Sequence, residues 1–232
     1  MLALAIDTST KSGTVALYHK EKGLVAELNL NVNLNHSDTV MSAIDALFEL
    51  SGNSIKDVER IAVSIGPGSF TGIRVGVGTA KGLAYSLKVP LVGLNELDAI
   101  ANLAPHTSKR IISLIDARKE RVYYAEYGYD AEDRLERKTD YMDGELGNIL
   151  EGYRGEEVLF LGDGSIHYRE LIKDIMRDKC FFTSNSMSLP RASVMAEICF
   201  DMPEDNVFQL EPFYLSKTQA ERNREKNKKN DN

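Results

Sequence analysis

Apolar and polar residues alternate from position 24 to 34. Leu24, Ala26, Leu28, Leu30, Val32 and Leu34 are interleaved with Glu27, Asn29, Asn31 and Asn33. A strict period of two predicts a strand with one buried face. Two short continuous apolar runs precede it, at 2–6 and 14–18, joined by the polar turn 7–13. They predict buried strands, so the chain opens as a three-stranded antiparallel meander. The apolar spacing then lengthens to that of a helix at Val40, Met41, Ile44, Leu47 and Phe48, with Ser37 or Asp38 as its cap. A buried strand at 61–65, a helix over 71–87, a strand at 91–94 and a short helix ending near Pro105 follow.

The pattern then restarts. Strands are predicted at 110–115, ending in Asp116, at 122–127 and, more weakly, at 138–142. A helix at 145–150, a strand at 158–161 and a helix at 165–176 complete it. Both halves order as three strands, a helix, a strand and a helix, and each ends its first strand in an aspartate, Asp7 and Asp116. The repeat lies in element order, not in residues. It predicts an α/β chain with a duplicated ribonuclease-H-like fold in two lobes, the architecture of actin-like ATPases, hexokinase and Hsp70. The expected division is 1–105, 106–215, and a C-terminal helix with a basic tail over 216–232.

Composition narrows the class. The chain has 232 residues, 43% hydrophobic and 27% charged, as in an ordinary soluble globular protein. No run approaches the roughly 18 apolar residues of a membrane span, and the N-terminus lacks the pattern of a secretory signal. A cytoplasmic protein without membrane contact is therefore expected. Cys180 and Cys199 lie among apolar neighbours and are expected to be core thiols. A net charge of −7 argues against a body that wraps nucleic acid by itself. The charge is uneven, however: Lys217, Arg222, Arg224, Lys226, Lys228 and Lys229 face only three acidic residues after position 216. Such a tail is either a solvated helix end or an arm for RNA or an acidic partner.

The segment from Ser64 through Gly66, Pro67, Gly68, Ser69, Phe70, Thr71, Gly72, Ile73, Arg74 and Val75 to Gly76 predicts a strand, a tight turn and a helix start, with Ser69 or Thr71 as cap. A helix start can hold an anion, but neither a Walker loop nor a dinucleotide fingerprint is present. Within the helix, Gly72, Gly76, Ala80 and Ala84 recur every four residues, and Gly78 and Gly82 form a second small pair. Each interior glycine costs up to about 1 kcal/mol relative to alanine. A bare face that either hugs its own sheet or receives another subunit's helix would account for this. If it receives a subunit, leucine at Gly76 or Ala80 is expected to weaken pairing without unfolding the chain.

These residues resemble the signature of the TsaB (YeaZ) family. The likeness extends over Ala5-Ile6-Asp7-Thr8-Ser9-Thr10, Asn35-His36-Ser37, Ala80-Lys81-Gly82-Leu83-Ala84, Val89-Pro90 and Leu114-Ile115-Asp116-Ala117-Arg118. It continues through Glu211-Pro212-Phe213-Tyr214-Leu215 and Ala220-Glu221. The resemblance implies a subunit of the machinery that places threonylcarbamoyl on N6 of adenosine 37 in tRNA. Its implied partners are the catalytic paralogue TsaD, the ATPase TsaE, a second copy of itself, and tRNA through the complex. The pairing helices would use Val40, Met41, Ile44, Phe48, Gly72, Arg74, Gly76 and Ala80.

The catalytic paralogue carries a His-x-x-x-His metal site after a Val-Pro strand. Here Glu96 and Ile100 hold those positions, and isoleucine offers no lone pair. The resemblance therefore implies no catalytic residue, no metal and no cofactor in this chain, with ATP and a metal ion expected in TsaD or TsaE. Asp7, Thr8, Ser9, Asp116, Gly162 and Gly164 would form a vestigial nucleotide or phosphate site. In the strand-loop 159–165, Asp163 stands where the superfamily keeps a second glycine. A small-molecule kinase using Asp7 or Asp116 is the alternative; a glycoprotease has no ligand set or triad to support it.

Overall fold

Among residues 1–30 and 36–216, which the computed structural model describes, eleven strands form two sheets. The first runs in the order β3 (Gly23–Leu30), β2 (Gly13–His19), β1 (Leu2–Asp7), β4 (Val58–Gly66) and β5 (Leu91–Asn95). The second runs β11 (Cys180–Phe182), β10 (Val158–Leu161), β6 (Arg110–Asp116), β7 (Arg121–Tyr129) and β8 (Leu135–Arg137), with β9 (Met142–Glu145) also pairing β7. In each, an antiparallel meander continues from its first strand into parallel neighbours. The duplicated ribonuclease-H-like order is therefore present in two lobes.

β1 explains how the N-terminal lobe is layered. Its six residues are all buried, as expected of a central strand covered on both faces. Leu2, Leu4 and Ile6 face α1 (His36–Ser51) and α2 (Phe70–Leu87), in a core with Ile44, Leu47, Ile61 and Val63. Ala3 and Ala5 face the other way and let α8 (Ala192–Ile198) approach closely through Met195 and Ala196. Large side chains on one face and alanine on the other set two different helix distances.

The lobes exchange their inner helices. α3 (Glu96–Ala101) packs Leu97 and Ile100 on the second sheet, against Ile111, Ile115 and Leu161. In return, α8 covers the first sheet. From Asp205 onward the chain also straps the first lobe: the Asp205 amide donates to Leu91 O, and that of Phe213 to Ile65 O. Apolar contacts thus carry α3, which precedes position 105, onto the second sheet, and α8, which follows it, onto the first.

Three local expectations change. The 138–142 strand is split into β8 and β9, because Thr139 Oγ1 takes the Glu126 amide that a ladder carbonyl would accept. The helix 165–176 is broken at Tyr168 into α5 (Asp163–His167) and α6 (Arg169–Met176). A bulge where Leu17 and Tyr18 pair with Ala26 and Leu24 interrupts the long alternation, leaving Leu24 exposed. Val32, Leu34, the side chains of Ser37 and Asp38, and the segment 217–232 with its expected helix lie outside the described residues. Cys199 is buried in the core as expected, and Cys180 is half-buried.

Candidate functional site

A cleft of about 710 Å³ opens between the lobes, lined by the turn after β1, the start of α2, the turn after β6 and the start of α5. Asp7 and Asp116 do the same local job on its two sides. The Ser9 amide donates to Asp7 Oδ1 at 2.7 Å, and the Arg118 amide donates to Asp116 Oδ1 at 2.7 Å. Each carboxylate thus fixes the turn that follows its strand.

The glycine-rich turn fits its own neighbour. Ser69 caps α2 by accepting the Gly72 amide, and its own amide donates to Ser9 O at 2.6 Å. A Cβ on Gly72 would sit 2.0 Å from Thr8 O, and one on Gly76 2.5 Å from Thr8 Oγ1. Thr8 Oγ1 in turn donates to Gly72 O. The space these glycines leave is filled by the chain's own Thr8 and Ser9, not by room for a phosphate. Gly162 repeats the device in the second lobe: at φ +91°, its Cβ would meet Leu114 O at 2.0 Å. Gly164 lies against the same residue. Of the six residues expected at a vestigial nucleotide site, Ser9 and Asp116 line the cleft, Asp7 and Thr8 hold the turn behind it, and Gly162 and Gly164 lie against Leu114 of β6.

Acid collects on the cleft floor. Asp163 accepts the Asp116 amide at 3.0 Å, and burial pushes its pKa up to about 6. Glu96 is fully buried at the start of α3, and neither carboxylate oxygen makes a hydrogen bond of proper geometry, although the Ser9 and Ser64 hydroxyls lie close. Burial first, then the charge of Asp7, hold it well above the usual carboxylate range against the opposing pull of the Ser64 and Ser9 hydroxyls, and Asp163 adds to the rise. Ile100, the other position compared with a metal histidine, is core. Among the described residues no group of three His, Cys, Asp or Glu side chains could hold a metal ion.

The expected pairing residues divide. Val40, Ile44, Phe48, Gly72, Gly76 and Ala80 are buried within the chain itself. They are corrected as contact residues: the stripe 72/76/80/84 hugs β1 and β4, and leucine at Gly76 would disrupt the lobe rather than merely weaken pairing. Met41 and Arg74 do reach the surface. The outward face of α2 belongs to the other small pair, Gly78 and Gly82, with nothing within 4 Å of a Cβ on either. Aromatic rings flank it. Arg74 lies 3.9 Å over Phe70, which stacks on Tyr214, while Tyr85 meets Phe208 edge-on. Lys81 Nζ holds the strap there by donating to Phe208 O and Leu210 O. Sequence spacing contains Gly78 and Gly82, but not Phe208 and Tyr214, which arrive from over 120 residues away.

Comparison with known proteins identifies the lineage. A family model of the TsaD type, tRNA N6-adenosine threonylcarbamoyltransferase, matches residues 17–223. The tRNA threonylcarbamoyladenosine biosynthesis protein TsaB of Bacillus subtilis (strain 168) is 33% identical over 95% of this chain and 96% of its own. YeaZ from Pseudomonas aeruginosa superposes with a TM-score of 0.76 at 24% identity, over 92% of this chain and 99% of that one. The fold alone is shared with the Clostridium difficile activator of 2-hydroxyisocaproyl-CoA dehydratase, at a TM-score of 0.51 and 10% identity over 87% and 95% of the two chains. With one relative a third identical along nearly its whole length, the chain belongs to the TsaB family of tRNA threonylcarbamoyladenosine biosynthesis proteins.

Proposed function

We propose that this chain is a non-catalytic scaffold of the cytoplasmic machinery that makes threonylcarbamoyladenosine in tRNA. It pairs with the catalytic subunit TsaD, acts together with the ATPase TsaE, and in TsaD's absence pairs with a second copy of itself. The observation that carries this reading is the outward face of α2, bare at Gly78 and Gly82 and bordered by exposed Arg74, Tyr85, Phe208 and Tyr214. Two helical glycines with open space beside them cost stability of up to about 1 kcal/mol each, which close approach of a partner helix would offset. Aromatic rings and arginine are the side chains that concentrate binding energy at interfaces. Met41 and Leu50 extend exposed apolar surface on α1. The absence of its own chemistry is supported by Asp7 and Asp116, whose carboxylates are engaged in holding turns. ATP and metal are assigned to TsaD and TsaE.

The test is Gly82→Leu, whose Cβ meets no atom of its own chain within 4 Å. The variant should melt no lower than the wild type, yet lose at least tenfold in affinity for TsaD, and modification should fail in a mixture of TsaD, TsaE and the threonylcarbamoyl-adenylate enzyme. Wild-type co-purification and full tRNA modification would overturn the reading.

A further inference from the structure

Three cations stand at the mouth of the cleft. Lys11 comes from the turn after β1, and Arg118 and Lys119 from the turn after β6. All three are exposed, and among the described residues none makes an ion pair or side-chain hydrogen bond. Arg110, Arg121, Arg134, Lys138, Arg154 and Lys173 of the same lobe are each paired with a carboxylate, and Arg169 bonds Asn185 instead. The turn is also costly. Arg118, Lys119 and Glu120 have φ of +67°, +56° and +59° in succession. Left-handed backbone costs about 1–2 kcal/mol for each such residue, and glycine or asparagine would relieve it. The strain is held from both sides, by the Arg118 amide on Asp116 and by the Glu120 amide on Tyr168 Oη. A turn needed only as a connection would not place arginine and lysine there.

We infer that this rim binds the phosphate backbone of an RNA strand passing across the cleft mouth, so that the chain itself contacts the tRNA its complex modifies. The arrangement of charge selects a strand over a free nucleotide. Cations occupy the mouth, whereas the floor holds Asp163 and Asp116, which repel phosphates that descend. Tyr168 beside the rim offers a ring on which a base can stack. The net charge of −7 does not oppose this, because phosphate binding depends on where cations are grouped. Tyr123, also on the cleft, hydrogen-bonds Ser216 at 2.8 Å.

The double variant Arg118→Asn/Lys119→Asn removes both charges while asparagine tolerates the left-handed turn. It should melt no lower than the wild type. Bound to TsaD, it should hold an unmodified tRNA transcript about tenfold more weakly at low salt, with a slope of log affinity against log salt about 1.5 shallower. Lys11→Gln, on the other lobe, should reduce the slope by about 0.7. Unchanged slopes in both variants, or loss of ADP binding with tRNA binding intact, would overturn the inference. Pairing with TsaD is measured in the same samples and should not move; its failure would instead count against the scaffold reading.

Discussion

In the N-terminal lobe the turn after the first strand is sealed; in the C-terminal lobe the matching turn stands open. Both begin with an aspartate that accepts the amide two residues on. Close to each, a glycine at the start of a helix presses on the chain, Gly72 on Thr8 of the turn and Gly162 on Leu114 within β6. Beyond that joint they diverge. Thr8, Ser9, Thr10 and Ser12 are buried, while Arg118, Lys119 and Glu120 are exposed and left-handed. The duplicated half thus keeps its mechanical joint in both copies and frees one turn for a surface. The joint belongs to the fold, and the turn is where the copies can differ.

Breaking the joint should have the largest effect. Gly162→Ala places a methyl 2.0 Å from Leu114 O at a φ of +91° that alanine resists, so overpacking and backbone strain add. A loss of about 4 kcal/mol is expected, or a fall in Tm of roughly 8–16 °C. Gly72→Ala meets Thr8 O at the same distance but in helical backbone, and should cost about 3 kcal/mol. Calorimetry of both variants checks the order. Wild-type melting in either would show that the two joints are not equivalent.

How much of this was legible in the sequence follows from range. Periods of two and 3.6 are local, so strand and helix order could be read before the structure, and the aspartates at 7 and 116 located the joints. The exchange of α3 and α8 between lobes could not, since alanine at positions 3 and 5 shows that something approaches closely without saying what. The same limit left α2 open between two readings. Glycine every four residues announces contact, but only the position of Thr8 shows that 72 and 76 face inward and 78 and 82 outward. Glu96 was hidden for another reason: an acid in the first turn of a helix looks like an ordinary dipole partner, and its burial depends on both lobes.

That shared acid supplies the second test. Glu96 feels Asp7 of one joint and Asp163 of the other. A carboxyl whose pKa is raised in the native protein keeps its proton after the unfolded chain has released it. Stability therefore falls as pH rises through the interval between the two values. For Asp163 the interval runs from about 4 to about 6. For Glu96 it opens near 4.3 and extends well above the carboxylate range. Glu96→Gln, which cannot ionise, should gain steadily on the wild type in Tm as pH rises above the ordinary carboxylate value, whereas the gain of Asp163→Asn should stop growing at about pH 6. Parallel melting curves across pH would mean that Glu96 is not shielded from water between the joints.

The smallest effect probes the open turn alone. Lys119 sits at φ +56° in an exposed position where its side chain touches no partner among the described residues. Lys119→Asn keeps the turn, suits the left-handed region and should stabilise the protein by about 0.5–1 kcal/mol, a rise in Tm of roughly 1–4 °C. Lys11→Asn is the matched change in the sealed turn. Lys11 has no left-handed backbone to relieve, so the substitution should leave Tm where it was. Equal responses at the two positions would mean that the strain carries no cost, and the comparison between the turns would then rest on burial alone. A gain confined to Lys119 would mean that the chain keeps a lysine at the expense of its own stability, as a residue retained for a contact outside the fold would require.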